Sequence, residues 1–352
     1  MRNRVGPILL GLLLISCGTP SGSPSQGAMP SAGGAPSIGA SPSVLPTPEP
    51  AVSYGEEWLA YQWIDATGDG IYLARPDGSA QHQILTNLAG SEIHPDWSPD
   101  GQRLAFVHVT PEDQSELAVV NADGTGEELL FSCEDPCNSI GYPDWNADGS
   151  AIYFGQDADV QANGIPRTFQ VARLDLATGR VKVVLTRQDG MTAEQPRVSP
   201  DETRVVYTRF KDLAEPLAGS AIFVSDLAGG RERRLTEFDA YAAYPDWSPD
   251  GALIVFNTFD LGAFQDITVQ VNLFTIKPDG SDIQRLTDYG ENDTRATQPR
   301  WAPDGSGIVY TQVQGAGFGT RTAAFLPIDG SESPWVDFDP IIATHPTLRP
   351  IP

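Results

Sequence analysis

Along most of the chain the apolar residues come in short bursts, and the bursts fall into sets. Leu104-Ala-Phe106, Ile152-Tyr-Phe154, Val205-Val-Tyr207, Ile254-Val-Phe256 and Ile308-Val-Tyr310 form one set. Ala118-Val-Val120, Ala221-Ile-Phe-Val224 and Leu273-Phe-Thr-Ile276 form a second, and a third ends Leu-Thr at Leu185-Thr186, Leu235-Thr236 and Leu286-Thr287. The bursts are β-branched and aromatic, are bounded by turn residues and show almost no helical period, so they predict strands. Ahead of the first set stands a recurring signature. It reads His94-Pro-Asp-Trp-Ser-Pro-Asp-Gly101, Tyr142-Pro-Asp-Trp-Asn-Ala-Asp-Gly149, Gln195-Pro-Arg-Val-Ser-Pro-Asp-Glu202, Tyr244-Pro-Asp-Trp-Ser-Pro-Asp-Gly251 and Gln298-Pro-Arg-Trp-Ala-Pro-Asp-Gly305. A spacing of roughly fifty residues is a propeller period rather than that of a helical solenoid.

Each unit reads as four strands, A to D from the axis outwards. The Pro-Asp-Gly segment joins A to B: proline presets φ, aspartate bonds back to the backbone and glycine accepts positive φ. Asp100, Asp148, Asp201, Asp250 and Asp304 are therefore expected to be turn formers. The C–D turns end in Gly124, Gly179, Gly229, Gly280 and Gly330. At the front, Trp58-Leu-Ala-Tyr61, Ile71-Tyr-Leu73 and Ile84-Leu-Thr86 supply B, C and D without an A, and the tail His345-Pro-Thr-Leu-Arg-Pro350 supplies an A without a B. The two fragments complete one blade. The expected fold is all-β, a six-bladed β-propeller of four-stranded antiparallel blades over residues 53–352, closed by its C-terminal strand, which leaves no open edge in the ring.

The Trp-Ser-Pro-Asp-Gly repeats and Leu-Thr strand ends resemble the propeller of TolB and related proteins over about 57–352. The resemblance implies the fold and leaves function open, since propellers host many activities. TolB carries an α/β domain ahead of its propeller, where this chain has a spacer. Some relatives join such a propeller to a serine peptidase domain; here no Gly-x-Ser-x-Gly segment on a strand–helix turn is found.

Arg2 and Arg4 followed by the apolar run Val5–Ile15 read as an export signal, too short for a membrane span. Its end, Leu14-Ile15-Ser16-Cys17-Gly18, resembles a bacterial lipobox. That resemblance implies removal of residues 1–16 and lipidation of Cys17, with acyl chains as the only membrane attachment. Residues 17–52, rich in Ser, Pro, Gly and Ala, then form a spacer. The remaining cysteines, Cys133 and Cys137, are even in number in an oxidising compartment and are expected to form a disulfide.

The net charge is −24, from 46 acidic and 22 basic residues. Too few cations are available to neutralise phosphates, so nucleic acid is excluded as a partner and cationic partners are favoured.

The A–B and C–D turns are uniformly tight, so length variation gathers on the opposite rim: B–C loops 156–166, 211–219, 259–269 and 313–320, and D–A loops 132–141 and 288–297. Variable loops on a rigid scaffold are where binding usually resides. The A strands are expected to begin at this rim, beside the channel, with His94, Tyr142, Gln195, Tyr244, Gln298 and His345. Two positions on stand Asp96, Asp144, Arg197, Asp246, Arg300 and Thr347, with Tyr accompanying Asp and Gln accompanying Arg. Such a ring either binds a polar ligand or peptide, for which His94, Tyr142, Gln195, Arg197, Tyr244, Gln298, Arg300 and His345 are the candidates, or simply lines the channel through inter-blade hydrogen bonds and water. Trp97, Trp145, Trp247 and Trp301 are expected to pack blade against blade.

Asp65-Ala-Thr-Gly-Asp-Gly70 resembles the start of a calcium loop, but its twelfth position is Pro76 and a hairpin is the better reading. A metal held by His94, Gln195, Gln298 and His345 is an alternative, resembling the arrangement of six-bladed oligogalacturonate lyases. The expectation is a non-enzymatic, extracytoplasmic, lipid-anchored monomer without cofactor or metal, binding an envelope protein or cell-surface glycan. The runner-up is a channel-sited polysaccharide enzyme such as a metal-dependent lyase.

Overall fold

A computed structural model describes residues 59–65, 68–76, 78–84, 89–134, 137–158, 168–185, 191–211, 219–227, 230–260, 270–289, 294–315, 319–331, 333 and 343–350. The expected export signal, Cys17, the expected spacer, Trp58 and most of the B–C loops lie outside the described residues.

The strands fall into six antiparallel sheets arranged as sequential meanders. The first blade combines β23 (Ala343–Leu348) with β1 (Leu59–Asp65), β2 (Gly68–Ala74) and β3 (His82–Gln83). The second is β4 (Ser91–Trp97), β5 (Arg103–Val109), β6 (Ser115–Asn121) and β7 (Glu128–Ser132). The third is β8 (Cys137–Trp145), β9 (Ala151–Ala158), β10 (Thr168–Asp175) and β11 (Arg180–Leu185). The fourth is β12 (Glu194–Val198), β13 (Arg204–Phe210), β14 (Ser220–Asp226) and β15 (Arg233–Arg234). The fifth is β16 (Ala243–Trp247), β17 (Ile254–Asp260), β18 (Gln270–Ile276) and β19 (Gln284–Arg285). In the sixth, β20 (Thr294–Trp301), β21 (Gly307–Gln314) and β22 (Thr320–Pro327) are described.

The tail closes the ring as expected. Leu59 pairs with Leu348, Ala60 with Thr347, Gln62 with Thr344 and Trp63 with Ala343. Asp65 pairs with Gly68, so the segment that resembled a calcium loop is a hairpin.

The Pro-Asp-Gly segments are turns. In the first, Ser98 Oγ donates to Asp100 Oδ1 at 2.6 Å and the Gln102 N–H donates to the same oxygen at 3.0 Å. These bonds, the Ser98 one foremost, hold the Asp100 carboxyl below the usual carboxylate range. Ser199 with Asp201 and Ser248 with Asp250 repeat the arrangement. In the fourth blade Glu202 stands where the other copies have glycine, at φ 53°. Its carboxylate accepts from Asn146 Nδ2 and the Asp148 N–H of the neighbouring turn, both at 3.2 Å.

The core lies between blades. Ala105, Val107 and Leu117 of the second blade pack on Trp145, Ile152 and Phe154 of the third. Val206, Ile222 and Val224 meet Trp247 and Phe256, and Val255 and Leu273 meet Trp301 and Ile308. All four signature tryptophans are buried. The Cys133–Cys137 disulfide is present, with 5.1 Å between Cα atoms, and it packs in the core between the second and third blades.

Candidate functional site

Proline cannot donate to a strand ladder, yet every innermost strand contains one. The fold resolves this with a bulge repeated six times. In β4, Ile93 pairs with Val107 and Asp96 with Ala105, so one strand advances three residues while its partner advances two. Shifts of the same size occur at Gly141/Asp144, Glu194/Arg197, Ala243/Asp246, Thr297/Arg300 and Thr344/Thr347. The residue before each proline takes positive φ: His94 55°, Tyr142 56°, Gln195 56°, Tyr244 54°, Gln298 56° and His345 51°. Non-glycine residues adopt this region uncommonly. The innermost strands therefore begin before these residues, which sit at the bulge within the strand rather than at its first position. That is a correction to the expected strand start.

The eight candidate residues all line one cavity on the propeller axis, together with Pro95, Pro245 and Pro299. It encloses about 410 Å³ counting its open mouth, but the centre of a water-sized molecule has only about 20 Å³ to occupy. That is room for a water molecule or one small group. Four rings crowd the mouth. His94 stacks on Tyr142 at 4.1 Å between centroids, His345 meets His94 edge-on at 4.5 Å, and Tyr244 lies 6.0 Å from both Tyr142 and His345.

Most acceptors here are used between blades. His94 Nδ1 accepts the Tyr142 N–H (3.4 Å), Gln195 Oε1 the Tyr244 N–H (2.9 Å) and Gln298 Oε1 the His345 N–H (3.1 Å). Each glutamine oxygen also accepts from a threonine of its own blade, Thr208 at 2.7 Å and Thr311 at 2.9 Å. With Oε1 so engaged, the Gln298 amide nitrogen faces His345 Nε2 at 3.0 Å and donates to it, placing the His345 proton on Nδ1. Burial, with the Arg197 charge second, pushes His94 down to about 3. Burial, with neighbouring His94 and arginines, pushes His345 well below the usual histidine range. Both rings are neutral at physiological pH.

Below the rings lies a charged layer. Arg300 bridges Asp96, two blades along, and Asp246 (3.6 Å). Arg197 lies between Asp144 and Asp246, 3.8 Å from each. Each carboxylate is also tied to the next blade's backbone: Asp96 accepts from the Trp145 N–H (3.1 Å), Asp144 from Val198 (2.7 Å) and Asp246 from Trp301 (2.7 Å). Burial raises the Asp144 carboxyl to about 7 against the pull of Arg197. On the rim above, burial raises Glu194 to about 8, and the charge of Asp157 adds to it.

The imagined metal set is occupied otherwise. The two glutamine oxygens carry two hydrogen bonds each, and the His94 Nδ1 and His345 Nε2 lone pairs face N–H donors. Among the described residues no group of three His, Cys, Asp or Glu is placed to hold a metal ion, and no helix is long and apolar enough to cross a membrane. The B–C segments 159–167, 212–218, 261–269 and 316–318 of the expected binding rim lie outside the described residues. The six-fold bulge and the threonine partners were missed from sequence. The threonines had a signal, standing thirteen residues after each glutamine.

Residues 158–318 match the family model described as the TolB beta propeller domain. An uncharacterised protein of Agrobacterium fabrum is 26% identical over 222 residues, which is 61% of this chain and 68% of that protein. The Tol-Pal system protein TolB of Alcanivorax borkumensis is 29% identical over 83 residues, 24% of this chain and 18% of that one. The crystal structure of TolB from Acinetobacter baumannii superposes with a TM-score of 0.62 at 20% identity, over 83% of this chain and 66% of that chain. At that identity the structural likeness establishes the fold alone.

Proposed function

We propose that this six-bladed, TolB-like propeller is an extracytoplasmic binding module, held at a bacterial membrane by a lipid on Cys17, that engages an envelope protein or cell-surface glycan at its channel mouth and surrounding rim. The observation that carries the reading is the convergence of His94, Tyr142, Gln195, Arg197, Tyr244, Gln298, Arg300 and His345 on one axial cavity. Aromatic faces and polar groups gathered in a concave site are the usual make-up of a binding pocket. The likeness to a Tol-Pal system protein of Alcanivorax supports a place in the cell envelope. The lyase alternative gains no support, because the lone pairs it would need are engaged in blade-to-blade bonds.

The test is affinity capture from envelope extract with the full chain. Wild type should retain a discrete partner that Tyr244→Ala and His94→Ala variants, checked for folding, lose. Retention by both variants, with loss only on altering the opposite face, would move the site elsewhere. Radiolabelled palmitate incorporation that survives Cys17→Ala would refute the anchor.

A further inference from the structure

Donors and acceptors in the channel are unevenly used. The carboxylates of Asp96, Asp144 and Asp246 accept backbone N–H groups and face the guanidiniums, and both glutamine oxygens accept twice. The donors are left over. Arg197 directs Nη1 to the Pro143 and Pro196 carbonyls and Nε toward Asp246; no hydrogen bond from its Nη2 is found among the described residues. Arg300 directs Nη2 to Asp96 and Nε toward Asp246, and the same holds for its Nη1. His345 Nδ1, which carries the ring proton, is buried without a partner. All three residues line the cavity. A buried donor without an acceptor, as at His345 Nδ1, costs about 1–3 kcal/mol, and the two guanidiniums add positive charge beside it, so the site favours whatever supplies acceptor atoms. A planar carboxylate suits an arginine fork in particular. The free space is too small for a sugar ring and fits a single terminal group.

We propose that the channel mouth receives a carboxylate of a polypeptide partner, bound by Arg197, Arg300 and the His345 Nδ1–H. This deepens the proposed function and rests on the mouth being the binding site. The Asp144 carboxylate competes for Arg197, so it opposes the ligand; the aspartates set the ring's geometry and the leftover donors set its specificity.

The Trp247 indole N–H donates to the Arg197 carbonyl at 3.1 Å and provides a local reporter. With ¹⁵N-labelled full-length protein, its indole signal is followed during titration at constant ionic strength. N-acetylalanine stands for a chain terminus, N-acetylaspartic acid α-amide for an acidic side chain, and N-acetylalaninamide and methylammonium are controls. At least one carboxylate probe should shift the signal, and the stronger of the two identifies the source. Binding should weaken by about tenfold in Arg197→Gln, the loss expected for a charge-assisted hydrogen-bonded pair. It should tighten in Asp144→Asn, a variant that keeps the accepting oxygen for Val198 and guards against a folding failure of the first. If the neutral amide or methylammonium binds as well as the carboxylates, or if Asp144→Asn weakens binding, the carboxylate assignment falls while the mouth reading stands. If no probe shifts Trp247 in the wild type, the assignment also falls, and capture by the Tyr244→Ala and His94→Ala variants decides the site on its own.

Discussion

Six residues, each followed by proline, hold a backbone conformation that L side chains avoid, and the surrounding hydrogen bonds show what keeps them there. Gln298 is the most heavily used: it accepts from His345 and Thr311 and donates to the His345 ring. Gln298→Leu leaves a buried N–H, a hydroxyl and a ring nitrogen unmatched and should cost about 1–3 kcal/mol in urea unfolding. Thr311→Val removes a donor from an oxygen that keeps its second bond, and should cost less. Glu194 gives a pH prediction of unusual sign. Its carboxyl is raised from 4.5 in the unfolded chain to about 8 when folded, so the folded state binds the extra proton between those values. Stability is therefore lost as pH rises from about 4.5 to 8, on the order of 1.4 kcal/mol for each unit the carboxyl is raised. Glu194→Gln should flatten the decline in melting temperature between pH 5 and pH 8; equal slopes in the two proteins would count against it.

At the level of strands and turns, the blades are matched by complementary residues that no single repeat reveals. The Arg103 guanidinium lies 4.9 Å from the centre of the Trp145 ring and Arg204 lies 4.7 Å from that of Trp247, each in the blade before. Where the signature has Val198 instead of tryptophan, the preceding blade offers Ala151 at the matching place. Arg204→Ala should cost about 0.5–1 kcal/mol, the worth of a partly exposed cation–π contact, and the loss should vanish in a Trp247→Leu background. Of the Leu-Thr pairs expected at strand ends, Leu235-Thr236 and Leu286-Thr287 stand just beyond the outermost strands, and Leu185 is the last residue of its own strand. Thr236 Oγ1 accepts the Ile222 N–H and Thr287 Oγ1 the Leu273 N–H, both at 3.0 Å, so each hydroxyl replaces a ladder carbonyl. Thr287→Val should lower stability by about 1–3 kcal/mol, read by denaturant midpoint. Strand identity, turn chemistry and the cavity residues were legible because each follows from local residue choice repeated at a fixed interval. The bulge was only half legible: the prolines announce that the ladder must break, but not that the preceding residue turns to positive φ. Arg300 with Asp96 was not legible, because the partners are 204 positions apart and two blades removed.

For the whole molecule the decisive contact is between β1 and β23. Deleting residues 343–352 removes the inner strand of the first blade and with it Ala343, which packs on Leu59 and Tyr61. The truncated chain should lose the single cooperative transition in calorimetry and become sensitive to limited proteolysis at residues 59–84; an unchanged transition would show that closure contributes little. Closure also explains why the cavity lies where it does. Tail residue His345 stacks edge-on against His94 and is bonded to Gln298, so the mouth is complete only in the closed ring.

That join also sets the order of events during biosynthesis. Leu59 emerges early, yet its partner Leu348 is made almost three hundred residues later. At about 5–20 residues per second the waiting interval is some tens of seconds, during which the inner edge of β1 presents unpaired N–H and C=O groups. A chain kept unfolded until Leu348 has been made avoids that exposure, because β1 then forms only when its partner is available. Folding of β1 to β22 ahead of the tail would instead present a sticky ribbon to its neighbours.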